Sequence, residues 1–326
     1  MKTKSVFVKD YMKLTVMERE LPEIKANEVL VKTMACGLCC WDSWLYRGVN
    51  APGPMPYVMG HEGAGIVEQV GSLVTHVKPG DKVFCVTGGN SDAMSEYFIN
   101  RADGVYKLPD DVTDWAGVVY EPTSCVVNLL NITDIHMGDH VVLVGAGYMG
   151  LLTLQGLTRA SQAGRITVFE LREDRRKMAE EYNPGCVFDP NSEEGKKCIE
   201  EIKANGGADV VIDFGASDSG FHLADSMTKR AGKFVIGSFH RGEVKFYGPK
   251  WHLDGLTVYN LSPFANAHYP DMVPRVNAMI ERGIFEPAKF ITHTAYFEDD
   301  EAMDFMFRRA CDKEDGYMKG AILFYK

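Results

Sequence analysis

Three adjacent residues, Gly60-His61-Glu62, head a glycine-rich run reading GHEGAGIVEQVG that ends at Gly71. An imidazole beside a carboxylate can hold a metal or move a proton, but one such pair proves little. A cysteine cluster with an aspartate (Cys36, Cys39, Cys40, Asp42) lies upstream, and Glu121-Pro122 lies downstream. Thiolate, imidazole and carboxylate are donors that zinc accepts, and a catalytic zinc keeps three protein ligands and one open position. The candidate metal ligands are therefore Cys39, His61, Glu62 and Glu121. Their separations along the chain are too long for spacing alone to mark a metal site. Taken singly, each has a bland reading: Cys39 as a small buried hydrophobe, His61 as a satisfied loop histidine, Glu121 as the acid that starts a helix.

A second set of residues has phosphate chemistry. Gly145-Ala146-Gly147-Tyr148-Met149-Gly150 is G-x-G-x-x-G, follows the apolar run Val141–Val144 and opens a helical pattern. That context makes the motif a dinucleotide site: a tight turn, a close approach to pyrophosphate, and a helix N-terminus whose free N–H groups face the phosphates. Glu170 ends the next apolar run, about twenty residues past Gly150, where an acid accepts hydrogen bonds from the ribose 2′-hydroxyl. A carboxylate there repels a 2′-phosphate, which favours NAD over NADP. Arg172, Arg175 and Arg176 follow closely and weaken that inference, and Arg175 is a further candidate for the cofactor.

The elements that must position these residues fall into two styles. Up to about residue 110 the chain reads as short strands (29–35, 65–70, 82–86, 96–99) separated by turn signals such as Lys78-Pro-Gly-Asp81. Residues 115–130 read as a helix broken or started near Pro122. From Gly138 apolar strands (141–144, 166–169, 209–213, 233–236) alternate with helical stretches (149–159, 172–181), the pattern of a parallel, doubly wound sheet. A helix over 270–282 and a strand over 321–324 close the chain.

A length of 326 residues favours two domains. The composition, 45% hydrophobic and 25% charged, is that of a soluble globular protein. A formal net charge of −10 argues against nucleic-acid binding, which needs a basic surface. The N-terminal residues are interrupted by lysines, so no signal core is expected. The apolar stretch 141–157 is broken by glycines and does not read as a membrane span. Eight cysteines in a chain this long do not make a disulfide scaffold. The expectation is a cytoplasmic protein whose reduced thiols are free to bind metal.

The combined motifs resemble the zinc-dependent medium-chain alcohol dehydrogenase superfamily, in particular its polyol (sorbitol-type) branch. Gly60-His61-Glu62-x-x-Gly65 with Gly71 and Val74 is similar to that family's zinc signature, Gly37-Leu38-Cys39-x-x-Asp42 to the segment carrying its cysteine ligand, and Pro79-Gly80-Asp81-Lys82-Val83 to its characteristic turn. Glu121-Pro122 matches the pair that provides a later ligand in the polyol branch. The resemblance implies a GroES-like β-rich catalytic domain over 1–124 and 263–326, and a Rossmann NAD-binding domain over 125–262. It makes Cys39 a thiolate ligand, with Cys40 as the alternative assignment, His61 an imidazole ligand and Glu121 the third ligand. Asp42 would orient His61. Glu62 would bind directly, through water, or transiently.

Two departures stand out. The family's proton relay begins with a hydroxyl residue two positions after the ligand cysteine, where this chain has Trp41, and a histidine often found three positions further on is Trp44. Water, Glu62 or a substrate hydroxyl must then take the proton, and Trp41 either shapes the substrate pocket or only packs. No cysteine follows Cys85 in the stretch where relatives carry four, so one zinc per chain is expected. The implied function is hydride transfer between a secondary alcohol (polyol, sugar or cyclitol) and NAD, in a homodimer or homotetramer, with neither nucleic acid nor membrane as partner. The alternatives are a zinc-free quinone or enone reductase of the same superfamily and a non-catalytic NAD-binding protein with a structural zinc.

Overall fold

A computed structural model describes residues 1–49, 51–86, 92–240, 242–262 and 266–325. The chain divides into two compact units: Met1–Pro122 with Val273–Ala278 and Glu286–Lys326, and Thr123–Met272 with Met279–Phe285. The return to the first domain expected at residue 263 falls on residues outside those described. Residues 266–272 and 279–285 belong to the second unit.

The first unit starts with strands β1 (Lys2–Asp10), β2 (Lys13–Glu20) and β3 (Glu28–Leu38). A short helix α1 (Cys40–Tyr46) follows, then β4 (Tyr57–Val58), β5 (Glu62–Val70), β6 (Lys82–Cys85), β7 (Tyr97–Arg101) and β8 (Val105–Lys107). Helix α2 (Glu121–Thr133) leads into the second unit. There the order is β9 (His140–Val144), α3 (Tyr148–Ala160), β10 (Arg165–Phe169), α4 (Glu173–Glu180), β11 (Cys186–Phe188) and α5 (Glu193–Ala204). It continues with β12 (Ala208–Asp213), α6 (Asp218–Met227), β13 (Thr228–Ile236), α7 (Gly248–Asp254) and β14 (Thr257–Asn260). After α8 (Tyr269–Met272) and α9 (Arg275–Glu281), the first unit is completed by β15 (Ile291–Tyr296), α10 (Asp300–Asp312) and β16 (Lys319–Leu323).

In the first unit β3 is the organising strand. It pairs antiparallel with β5, β7 and β16, and the sheet runs β15-β16-β3-β5-β6-β8. Val29, Val31, Phe98, Val83, Phe307 and Ile322 are buried in its core, each contributing about 1.5–3 kcal/mol by burial. In the second unit all six strands are parallel in the order β11-β10-β9-β12-β13-β14. That is the doubly wound Rossmann order, with the reversal of strand sequence at β9. Residues Val141 to Val144 of β9 are all buried, as a central strand covered on both faces requires.

One helix expectation is met from the later of its two starts, near Pro122, and one needs correction. Residues 115–120 are not helical, and α2 begins at Glu121. Pro122 sits in its first turn, where the missing N–H costs no intrahelical bond. The helix expected over 270–282 is split into α8 and α9. Pro274 lies in the gap, and a proline disfavours helical backbone at the residue before it. Helix α1, unmarked by apolar periodicity in so short a segment, is an addition to the sequence reading.

Candidate metal centre and dinucleotide cradle

The pairing of β3 with β5 sets Gly37 opposite Glu62. A Cβ on Gly37 would stand 2.1 Å from Glu62 Oε2, so only glycine leaves room for that carboxylate. The strand ends one residue past Gly37, at Leu38, and Cys39 becomes the N-cap of α1. The Cys39 backbone N–H donates to Asp42 Oδ2 at 2.9 Å, which ties the thiol-bearing residue to the first turn of the helix. His61 and Glu62 stand at the start of β5 on the other side of the pairing.

Together these elements bring a Cys39 sulfur, a His61 ring nitrogen and a Glu62 carboxylate oxygen within 4.8 Å of one another. Glu121 falls outside that limit but is buried nearby, and its charge acts on His61. Asp42 is 0% exposed, with Oδ1 3.7 Å from His61 Nδ1. That oxygen is buried with no hydrogen-bond partner among the described residues.

The electrostatics describe a site crowded with negative charge. Burial pushes Asp42 up to about 7, partly opposed by His61. It pushes Glu121 up to about 7 as well, with His61 opposing and Glu62 and Cys39 adding to the rise. Burial also raises Glu62, against the pull of Lys319. The Cys40 thiol, hydrogen-bonded to Cys39, and the His61 charge hold Cys39 well below the usual thiol range, against burial. For His61 burial acts downward, yet Asp42 and Cys39 carry the imidazole well above its ordinary value. A multivalent cation would settle several buried acids around one imidazole. A thiolate, a neutral imidazole and one carboxylate balance a divalent ion, and the orphaned Asp42 oxygen is placed to take the proton side of a ligating histidine. The residues present therefore fit zinc.

Sequence reasoning missed Lys319. It stands at the head of β16, 4% exposed, and its Nζ donates to both Glu62 oxygens, at 2.7 and 2.5 Å. The two residues lie 257 positions apart, so no spacing could signal the pair. A lysine opening the otherwise apolar run Gly320–Phe324 was the one available sign. Trp41 is half-buried and packs on the first unit's core, 5.9 Å ring to ring from Trp44.

The second unit presents the glycine turn between β9 and α3. Gly145 has φ +95°, and a Cβ on Gly150 would meet the Gly145 carbonyl oxygen at 2.1 Å, so helix and turn touch through glycine. Gly147 is the N-cap of α3, with Tyr148 and Met149 in its first turn. A Cβ built on Gly147 finds only Arg175 Nη1 within 4 Å, at 3.7 Å. Glu170 follows the last residue of β10 and is 7% exposed. Its carboxylate accepts the Ala146 N–H at 2.7 Å and the Arg172 N–H at 2.9 Å, bracing the turn. Of the three arginines, Arg172 pairs with Asp174 and Arg176 donates to main-chain carbonyls, which leaves Arg175 beside the glycines.

Comparison with known proteins identifies the family of each part of the chain. The family model "Alcohol dehydrogenase GroES-like domain" matches residues 25–110, and "Zinc-binding dehydrogenase" matches 149–278, about two-thirds of the chain together. The chain belongs to the GroES-like, zinc-binding alcohol dehydrogenase family. D-xylulose reductase A of Aspergillus niger is 28% identical over 320 residues, covering 87% of each chain. The starvation-sensing protein RspB of Escherichia coli K12 is 27% identical over 322 residues, 90% of this chain and 92% of its own. The crystal structure of rspB from E. coli CFT073, complexed with NADH, shares the fold at TM-score 0.83, with 24% identity and 99% of each chain covered. The expected pairing of a GroES-like unit with a Rossmann sheet is borne out. Among the described residues no helix is long and apolar enough to cross a membrane.

Proposed function

We propose that this protein oxidises a secondary alcohol, of the polyol, sugar or cyclitol class, by hydride transfer to NAD, with one zinc per chain. The observation that carries this reading is the cluster of Cys39, His61 and Glu62 within 4.8 Å, in a chain that also holds a glycine cradle. When bound, zinc supplies a Lewis acid that lowers the pKa of the substrate hydroxyl, and NAD supplies the hydride acceptor.

The chain's own residues do the rest. Cys39 and His61 would hold the metal, with Glu62, which shares their cluster, or Glu121 as the third ligand, and Asp42 would fix the His61 ring and its tautomer. Gly145, Gly147 and Gly150 let the backbone approach the pyrophosphate, and the first turn of α3, at Tyr148 and Met149, directs its free N–H groups there. Glu170 takes the ribose hydroxyls and disfavours a 2′-phosphate, while Arg175 offers a cation to the phosphates. With Trp41 in place of a relay hydroxyl, the proton leaves through Glu62, water or a second substrate hydroxyl. Trp41 offers an aromatic face to a sugar-like substrate. The D-xylulose reductase relative supports a polyol substrate. The protein works in the cytoplasm as a homodimer or homotetramer.

The test is zinc content together with alcohol-dependent NADH formation across a panel of polyols, sugars and cyclitols. Stoichiometric zinc and turnover, both lost in His61→Ala, are expected. Full turnover by chelated protein would point to a zinc-free reductase, and zinc with no turnover on any substrate to a non-catalytic NAD-binding protein.

A further inference from the structure

A buried carboxylate–imidazole pair stands at the carboxyl edge of the Rossmann sheet, in the second unit. Asp213, the last residue of β12, is 0% exposed, and its Oδ2 lies 2.8 Å from His240 Nε2. We infer that His240 is a cofactor-binding residue whose outward ring nitrogen, Nδ1, accepts a hydrogen bond from the nicotinamide nucleoside of the dinucleotide, with Asp213 as its positioning residue. This rests on the dinucleotide reading above.

The topology sets which half of the cofactor the pair meets. The glycine turn follows β9, and Glu170, placed for the adenosine ribose, follows β10. A dinucleotide spans the crevice where the strand order reverses, so its other nucleoside lies over the ends of β12 and β13. Asp213 pairs in register with Val144 of β9 and Ile236 of β13, each the last residue of its strand. The turns beyond these strands touch as well. The Phe214 N–H donates to the Val144 carbonyl at 2.7 Å, and a Cβ on Gly145 would meet the Phe214 oxygen at 2.6 Å. The Gly237 and Ser238 N–H groups both donate to the Asp213 carbonyl at 2.9 Å, which leads the chain from β13 back over β12 to His240.

The chemistry of the pair fixes what the ring can take. Asp213 Oδ1 accepts the Gly215 N–H at 2.8 Å, so the carboxylate is anchored to the turn after its own strand. A carboxylate only accepts, so His240 Nε2 carries the proton and Nδ1 of the neutral ring is an acceptor. The ring stands perpendicular to that of buried Phe221, at 5.5 Å and 89°, which holds its tilt. Nδ1 has no hydrogen-bond partner among the described residues, and the side chain keeps 11% exposure. An oriented acceptor at this edge suits the hydroxyls of the nicotinamide ribose and the carboxamide N–H, both of them donors.

His240→Gln separates contact from bracing. The glutamine amide reaches the Nε2 position and still donates to Asp213, but it has no atom where Nδ1 stood. Binding of NADH, ADP-ribose and ADP is measured by calorimetry, with thermal melting alongside. The variant is expected to bind NADH about fivefold more weakly, the worth of one ordinary hydrogen bond. ADP, which lacks the nicotinamide nucleoside, should bind as to wild type. ADP-ribose shares the loss if the partner is a ribose hydroxyl and escapes it if the partner is the carboxamide, and either result supports the contact. Asp213→Asn keeps an acceptor for the Gly215 N–H and turns an amide N–H towards Nε2, which moves the ring proton to Nδ1. It should weaken NADH in the same direction with ADP unchanged. A pair that only braces the sheet edge predicts otherwise: NADH affinity unchanged in His240→Gln, or NADH and ADP weakened together with a lower melting temperature. Either of those results overturns the proposal. Should Asp213→Asn fail to fold, His240→Gln alone decides. Wild-type protein that binds neither NADH nor ADP would instead remove the dinucleotide reading itself.

Discussion

Replacing Asp42 by Asn separates charge from shape at the metal centre. The side chain is fully buried, so the isosteric amide creates no cavity. Its carbonyl oxygen can keep the 2.9 Å bond from the Cys39 N–H, so the start of α1 should survive. What changes is the other position, 3.7 Å from His61 Nδ1, where an amide nitrogen replaces an anionic oxygen. At that range the gross attraction between carboxylate and imidazolium is on the order of 4 kcal/mol at an effective dielectric of 20. Most of it is offset by the cost of burying the carboxylate, visible in the rise of Asp42 to about 7. The surviving effect on a metal-bound histidine should be the 10- to 100-fold loss of affinity typical of such partners, roughly 1.4–2.8 kcal/mol. Competition of zinc against a chelator of known affinity measures it, with thermal melting of the metal-free protein alongside. The amide should weaken zinc binding by that factor while leaving metal-free melting at pH 8 equal or higher, because a buried charge has been removed. Zinc affinity within twofold of wild type would refute the assigned role of Asp42.

Other expectations concern the turn and the pH response. Gly150→Ala places a methyl 2.1 Å from the Gly145 carbonyl oxygen, so helix α3 must shift; loss of NAD binding by calorimetry is expected, with zinc content unchanged. Metal-free protein should lose stability as pH rises from about 4 to 7, because Asp42 and Glu121 have folded values of about 7 and therefore bind protons more tightly when folded than when unfolded. Zinc should raise the melting temperature more at pH 8 than at pH 5, and the opposite order would show that these carboxylates do not face the metal.

Much of this architecture was legible because its signals are local. The G-x-G-x-x-G turn, the apolar β9 and Glu170 lie within one short βαβ stretch, where the physics of a parallel strand and a phosphate turn constrains neighbouring residues directly. Cys39 and Asp42 were linked through the family resemblance alone, since the short helix α1 that ties them together leaves no apolar periodicity in the sequence. Helix boundaries at 121 and around Pro274 were less so, since packing settles where a helix starts once several starts are chemically allowed. Glu62 was ambiguous because its partner comes from the far end of the chain. Lys319 reaches it only through the pairing of β16 with β3, a tertiary fact that leaves no trace in spacing.

That same pairing has a consequence for how the protein matures. The sheet carrying Cys39 and His61 includes a strand made 257 residues after Glu62, with the whole Rossmann unit synthesised in between. Contacts of such long range form late, because the loop-closure entropy must be overcome before they repay it. Prior folding of the inserted unit shortens that loop to a tether and brings the two segments back together. The sheet that carries Cys39 and His61 is therefore completed only by a strand synthesised after the whole second unit, so the Glu62–Lys319 contact cannot form before that unit has been made.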